Sequence, residues 1–170
     1  MRRALVATAV CALAAAVPAG STGPHERIVS FAGVSVQAPT GWYAVAAPTP
    51  GCDPERLIAV SSAPLRPYEQ HRGFALPRRR GSVLVFVLEV QVRGDRPVGD
   101  LRRPRHFAVD WTHLRRLEPC CEAPTAPSYL RYVRQHGRYI GFVVYPVGRV
   151  GAATRAATGR LVDSLTIGPR

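Results

Sequence analysis

The chain has 170 residues and a formal net charge of +12, from 23 basic residues against 11 acidic ones. Every basic residue is an arginine, so chemistry that needs a lysine, including a Ser-x-x-Lys pair, is excluded. The arginine bias, with abundant Ala, Val, Pro and Gly, matches the codon choice of a GC-rich bacterial genome, so the arginine count partly reflects mutation pressure rather than recognition.

The amino terminus opens with Arg2 and Arg3, runs through apolar residues from Ala4 to Val17, and closes on Val17, Pro18 and Ala19. That is the three-part layout of a secretory signal. A spanning helix needs about 20 apolar residues; this Ala-rich run is shorter, so cleavage of residues 1–19 is expected rather than a permanent anchor. Cys11 sits inside the apolar run behind Val10, which is not the setting of a lipid attachment site. Without the signal, 151 residues and a charge of +10 remain, a size at which one domain buries about 68–70% of its unfolded surface. The expected localisation is secreted or extracytoplasmic, associated with the cell envelope. There a basic field concentrates the protein near anionic lipid, wall polymers or an acidic protein partner. No specific nucleic acid and no cofactor are expected.

Residues 20–26 read as a disordered lead-in to a single domain over 27–168. Ile28 to Phe31 and Val34 to Gln37 flank Gly33, Pro39 to Gly41 supply turn chemistry, and Trp42 to Ala46 resume an extended pattern, predicting the first strands of a meander. Trp42, placed after Pro and Gly, reads as a plug over the core. A loop over 47–56 carries Cys52, and Leu57 to Ser62 is a short strand, with Ser61 and Ser62 at its end. Ala63 to Gly81, with Pro64, Pro67, Pro77 and the triplet Arg78, Arg79 and Arg80, predicts a flexible, lid-like loop.

Ser82 to Val92 is the strongest element. Leu84, Phe86, Leu88, Val90 and Val92 alternate with Val83, Val85, Val87, Glu89 and Gln91, and apolar residues on both faces predict a central strand. Arg93 to Arg103 is a charged turn region. Phe107 to Trp111 and Thr112 to Glu118 read as weaker strands joined near Asp110. Tyr129 to Gln135 and Arg138 to Tyr145 predict a hairpin closed by His136 and Gly137, which sets Tyr132 against Gly141, Val133 against Ile140 and Arg131 against Phe142. Which of its faces is buried is open at this point. Val150, Ala153, Ala157, Leu161 and Leu165 form one stripe at helical spacing, with Arg149, Arg155 and Arg160 outside it. Thr166 and Ile167 read as a final edge strand. The fold class is therefore α+β: an antiparallel twisted sheet of about six or seven strands with a C-terminal helix packed on one face.

The mature chain keeps Cys52, Cys120 and Cys121. In an oxidising compartment this predicts one disulfide, Cys52 with Cys120 or Cys121, and one leftover thiol. Closing that loop stabilises by about 4 kcal/mol in the chain-entropy model. No Cys-x-x-Cys spacing supports a metal site.

The stretch from Val34 to Val45, with Pro39, Gly41 and Trp42, and the stretch from Arg160 to Ile167, with Leu161, Val162, Ser164 and Leu165, resemble the opening and closing motifs of the PsbP/Mog1-like α/β/α sandwich group. They are also similar to small exported proteins of actinomycetes without an assigned function. The resemblance implies an antiparallel sheet with a terminal helix, on a scaffold that hosts binding and assembly more often than catalysis. It brings no catalytic residues.

His25, His71, His106, His113 and His136 are scattered without metal spacing, and there is no Gly-x-Ser-x-Gly elbow. No catalytic residue and no metal ligand is assigned. Glu89 alone among the acids lies on an apolar strand: it is either an acid at the sheet's edge paired to an arginine, or a buried acid lining a pocket. The clusters Arg78, Arg79 and Arg80, then Arg102, Arg103 and Arg105, are the candidate anion- or partner-binding residues, with Arg115 and Arg116 a third cluster; convergence on one face would make a salt-sensitive patch. The expected function is an exported, non-catalytic binding or accessory domain of the bacterial envelope. The alternative is a small extracytoplasmic hydrolase or transferase with a pocket near Glu89.

Overall fold

A computed structural model describes residues 26–46, 55–67, 74–90, 101–116, 124 and 126–170. The expected signal, Cys52, Cys120, Cys121 and positions 68–73 lie outside the described residues. The strands are β1 (Arg27–Phe31), β2 (Val34–Ala38), β3 (Tyr43–Ala46), β4 (Glu55–Ser61), β5 (Arg66–Pro67), β6 (Phe74–Ala75), β7 (Val83–Val90), β8 (Arg115–Arg116), β9 (Pro127–Gln135) and β10 (Arg138–Pro146). The helix α1 (Ala152–Asp163) and β11 (Thr166–Ile167) follow.

β7 is apolar on both faces and lies inside a six-stranded antiparallel sheet of order β3-β4-β7-β10-β9-β8. Val83, Val85 and Val87 enter the larger core with Ile140 and Phe142, while Leu84, Phe86 and Leu88 enter a second core with Val143 and Tyr145. The β9–β10 hairpin has the expected register: Tyr132 opposite Gly141, Val133 opposite Ile140, Arg131 opposite Phe142. His136 and Gly137 take φ of 52° and 74°, the paired left-handed conformation of a two-residue turn whose twist matches the strands. Both hairpin faces are used, Val133, Ile140 and Phe142 on the larger core and Leu130 and Val143 on the second.

Two expectations are corrected. First, the sheet is not single. β1 and β2 leave the meander and form a separate three-stranded antiparallel sheet with β11, in the order β1-β2-β11. Val29, Val34, Val36 and Ala38 are buried while Ile28, Ser30 and Gln37 are exposed, the alternation of strands that cover a core on one side only. The Pro39–Gly41 turn, with Gly41 at φ 76°, then sends β3 to the other sheet. Second, 107–114 is not a strand. Phe107 turns inward to meet Phe142 edge-on at 5.1 Å, and Asp110 Oδ1 accepts the N–H groups of Thr112 (2.9 Å) and His113 (3.2 Å). Such a local side-chain turn competes with a ladder, leaving β8 as two residues. Within 63–81, β5 pairs with β6, and Leu65, Phe74 and Leu76 pack on the second core.

The helix buries Ala157, Thr158, Leu161 and Val162, and Val150 and Leu165 beside its ends are buried as well. Ala153, a member of the expected stripe, is exposed, because Val150 precedes the N-cap Gly151 and the helix is rotated toward Thr158 and Val162. The helix and the three-stranded sheet together cover one face of the six-stranded sheet. Between them is a void of about 10 Å³ lined by apolar side chains including Val85, Phe142 and Leu165, about one water in size and without polar partners to hold one.

Candidate functional site

Glu89 belongs to the Val83–Val85–Val87 side of β7, opposite Ile140 on β10 and Glu55 on β4. It is buried, at 4% exposure, and so is Arg138, at 6%. Arg138 donates from Nε to Glu89 Oε1 (2.9 Å) and from Nη2 to Oε2 (2.7 Å), a bidentate, charge-assisted pair. Its Nη1 donates to the carbonyls of Ala32 (2.7 Å) and Gly168 (3.2 Å). Arg170 Nη2 adds a third bond to Glu89 Oε2 at 3.0 Å. Burial by itself raises the Glu89 pKa, but the hydrogen bonds and charges of Arg138 and Arg170 outweigh it, so the carboxyl titrates below its ordinary value of 4.5. Of the two readings of Glu89, the pairing with arginine is observed, but with the acid buried and on a central strand rather than at the sheet's edge. An ionised carboxylate with three donors on its two oxygens is poorly placed to accept a proton from substrate.

The same knot holds the chain's distant parts together. The Gly168 N–H donates to the Gly33 carbonyl at 2.8 Å, and a Cβ on Gly33 would lie 2.6 Å from the Pro169 carbonyl oxygen. Only a glycine fits there, doubly so with φ at 75°.

The arginine clusters separate. Arg78, Arg79 and Arg80 are exposed in the turn before β7. Gly81 N–H donates to the Val147 carbonyl (2.7 Å) and Val147 N–H to the Ser82 carbonyl (2.9 Å), which brings this turn to the Pro146 end of β10 and beside Arg149. Arg102, Arg103 and Arg105 lie at the opposite, Arg138 end, where Arg134 N–H donates to the Leu101 carbonyl at 2.8 Å. At about 3.4 Å per residue, nine-residue β10 keeps the two ends roughly 27 Å apart. The six candidate arginines therefore form two groups rather than one face. Arg103 belongs to the scaffold: Nη1 donates to Gln135 Oε1 (3.2 Å), Nη2 to the Leu165 carbonyl (2.5 Å), and its guanidinium lies over Phe107 at 5.6 Å. Arg102 and Arg105 are exposed.

Arg115 and Arg116, on β8, pair with Ser128 and Pro127 at the start of β9, which is the same end as Arg78–Arg80. Arg149 completes that neighbourhood, and sequence reasoning missed it because a lone arginine after a glycine carries no pattern. The adjacent Gly148, at φ 70°, is the local signal of the turn that presents it.

The remaining described candidates make local contacts. Trp42 is half-buried against the larger core, its N–H on the Pro39 carbonyl at 3.0 Å. The hydroxyls of Ser61 and Ser62 accept the N–H groups of Ala63 (3.2 Å) and Val83 (2.9 Å). Hydrogen bonds from the Thr112 hydroxyl and N–H and from His113 hold the Asp110 carboxyl well below the usual carboxylate range. His106 Nδ1 lies 3.4 Å from Asp163 Oδ2, and His136 occupies the hairpin turn; His25 and His71 lie outside the described residues. Among the described residues no group of three His, Cys, Asp or Glu could hold a metal ion, and no helix is long and apolar enough to cross a membrane. No family model, curated protein or solved structure matches the chain.

Proposed function

We propose that the protein is an exported, non-catalytic binding or accessory domain of the bacterial cell envelope that contacts an anionic surface or an acidic protein partner through exposed arginine loops. The observation that carries this reading is the contrast between its charges. Arg78, Arg79, Arg80, Arg149, Arg115 and Arg116 are exposed and make no ion pair among the described residues, whereas the buried acid Glu89 is saturated by guanidinium groups. Export is supported by the three-part amino terminus, and an envelope location by the surplus charge. A place among small exported actinomycete proteins, with kinship to the PsbP/Mog1-like group, is likewise proposed; the terminal helix on an antiparallel sheet suits it. The enzymatic alternative at Glu89 draws no support from a carboxylate so occupied.

Binding of the purified protein to anionic vesicles or cell-wall extract is expected to weaken steeply as salt rises. Binding that ignores salt, or none to either, would remove the proposal. Mass mapping of the exported protein is expected to find residues 1–19 absent and Cys52 linked to Cys120 or Cys121.

A further inference from the structure

Six exposed arginines gather at one end of the six-stranded sheet. At the Pro146 end of β10, three separate segments deliver arginine: the turn before β7 (Arg78, Arg79, Arg80), the link into α1 (Arg149) and β8 (Arg115, Arg116). Turn and link are in contact, since a Cβ on Gly148 would lie 3.9 Å from Arg80 Cβ and one on Gly81 would lie 3.5 Å from the Arg149 carbonyl oxygen. β8 stands three strand spacings from β7 in the sheet order, about 14 Å at the usual spacing. All six side chains are exposed, and among the described residues none makes an ion pair or a side-chain hydrogen bond. The acid of the segment leading into β8, Asp110, is engaged by Thr112 and His113, and the first turn of α1 contains no acid.

The Arg138 end differs. There Glu89 pairs with both Arg138 and Arg170, Asp163 accepts the Phe107 N–H at 2.5 Å and lies beside His106, and Arg103 is held by Gln135 and the Leu165 carbonyl, while Arg102 and Arg105 are exposed. Among the described residues the first end presents a rim of six arginines without an ion pair, and the second mixes paired arginines with exposed ones.

We propose that this rim docks on a surface of anionic phospholipid, with the Pro146 end of the sheet facing the head groups. The proposal rests on the envelope-binding reading above and names its contact and its partner. Guanidinium groups pair with phosphodiester oxygens in bidentate fashion. Six of them, exposed on three segments at one end of the sheet, fit a plane of phosphates better than a single small anion, which needs a concave cradle. A long soluble polyanion would be served by a stripe running the length of the molecule, and Arg102 and Arg105 lie too far away, at the other end of β10, to continue this one.

The test is co-sedimentation of the purified full chain with mixed phosphatidylglycerol–phosphatidylcholine vesicles at low and high salt, with pure phosphatidylcholine as the control. Each arginine near an anionic leaflet is worth about fivefold in partitioning, so Arg79→Gln/Arg80→Gln/Arg149→Gln is expected to weaken binding about 100-fold. The charge-matched Arg102→Gln/Arg105→Gln/Arg160→Gln is expected to bind nearly as the parent does, and thermal melting verifies that both variants are folded. Equal losses in the two variants, or no loss in the first, would overturn the rim while the envelope-binding reading stands. Salt-sensitive binding to wall extract but not to vesicles would overturn the lipid partner alone. Absence of salt-sensitive binding to either would end both.

Discussion

Glu89 and Arg138 show what a single buried pair contributes. Removing one partner of such a pair leaves the other as an uncompensated buried charge, at a cost of about 3–5 kcal/mol, whereas replacing both with apolar residues of similar size is often near neutral. Glu89→Leu is therefore expected to lower the urea midpoint sharply, and Glu89→Leu/Arg138→Met to recover much of the loss. The pair also sets a pH window. Because the folded pKa of Glu89 lies below its ordinary value of 4.5, its contribution is present above that value and is lost as pH falls through the lower folded value. Urea midpoints followed from neutral pH into acid are expected to show that loss in the parent and less of it in the double variant. The sequence singled out Glu89 as an acid on an apolar strand, but not its partners. Arg138 is one of many arginines, and its selection depends on β10 lying beside β7.

At the scale of elements, the hairpin and the helix differ in how much slack they carry. A Cβ on Gly141 would lie 2.4 Å from Tyr132 Cδ1 and 2.6 Å from the Arg131 carbonyl oxygen. Gly141→Ala is accordingly expected to cost about 1–3 kcal/mol by overpacking, seen as a lower melting temperature. A Cβ on Gly159 meets nothing within 4 Å, so in the helix interior Gly159→Ala is expected to stabilise by about 0.5–1 kcal/mol. Opposite shifts from the same substitution would separate steric from conformational control; stabilisation by Gly141→Ala would contradict the close packing of Tyr132. The hairpin's register was legible because a two-residue turn and a period of two leave one alignment. The 107–114 stretch was misread as strand because a hydrophobic alternation there is interrupted by Asp110, whose carboxylate takes the backbone N–H groups a ladder would need.

At the scale of the molecule, the far ends of the domain are sewn together: β11 pairs with β2, Ile167 is buried, and Gly168 bonds to Gly33. Burying Ile167 is worth about 1.5–3 kcal/mol and each backbone bond about 1 kcal/mol. Deleting residues 166–170 is thus expected to remove about 3–6 kcal/mol, a large share of a domain's usual 5–15 kcal/mol, and to shift or abolish the cooperative thermal transition; a deletion that melts like the parent would contradict this role. Alternation, turn dipeptides and helical spacing by themselves determined the central strand β7, the β9–β10 register, the closing helix and the α+β class, since each is a property of neighbours in the chain. Only the tertiary structure decided that β1 and β2 form their own sheet, that Glu89 meets Arg138 and Arg170, and that Arg149, Arg115 and Arg116, rather than Arg102, Arg103 and Arg105, share an end with Arg78–Arg80. Those choices join residues distant in sequence, and packing selects among many partners of identical chemistry, which in a chain whose basic residues are all arginine no local pattern can tell apart.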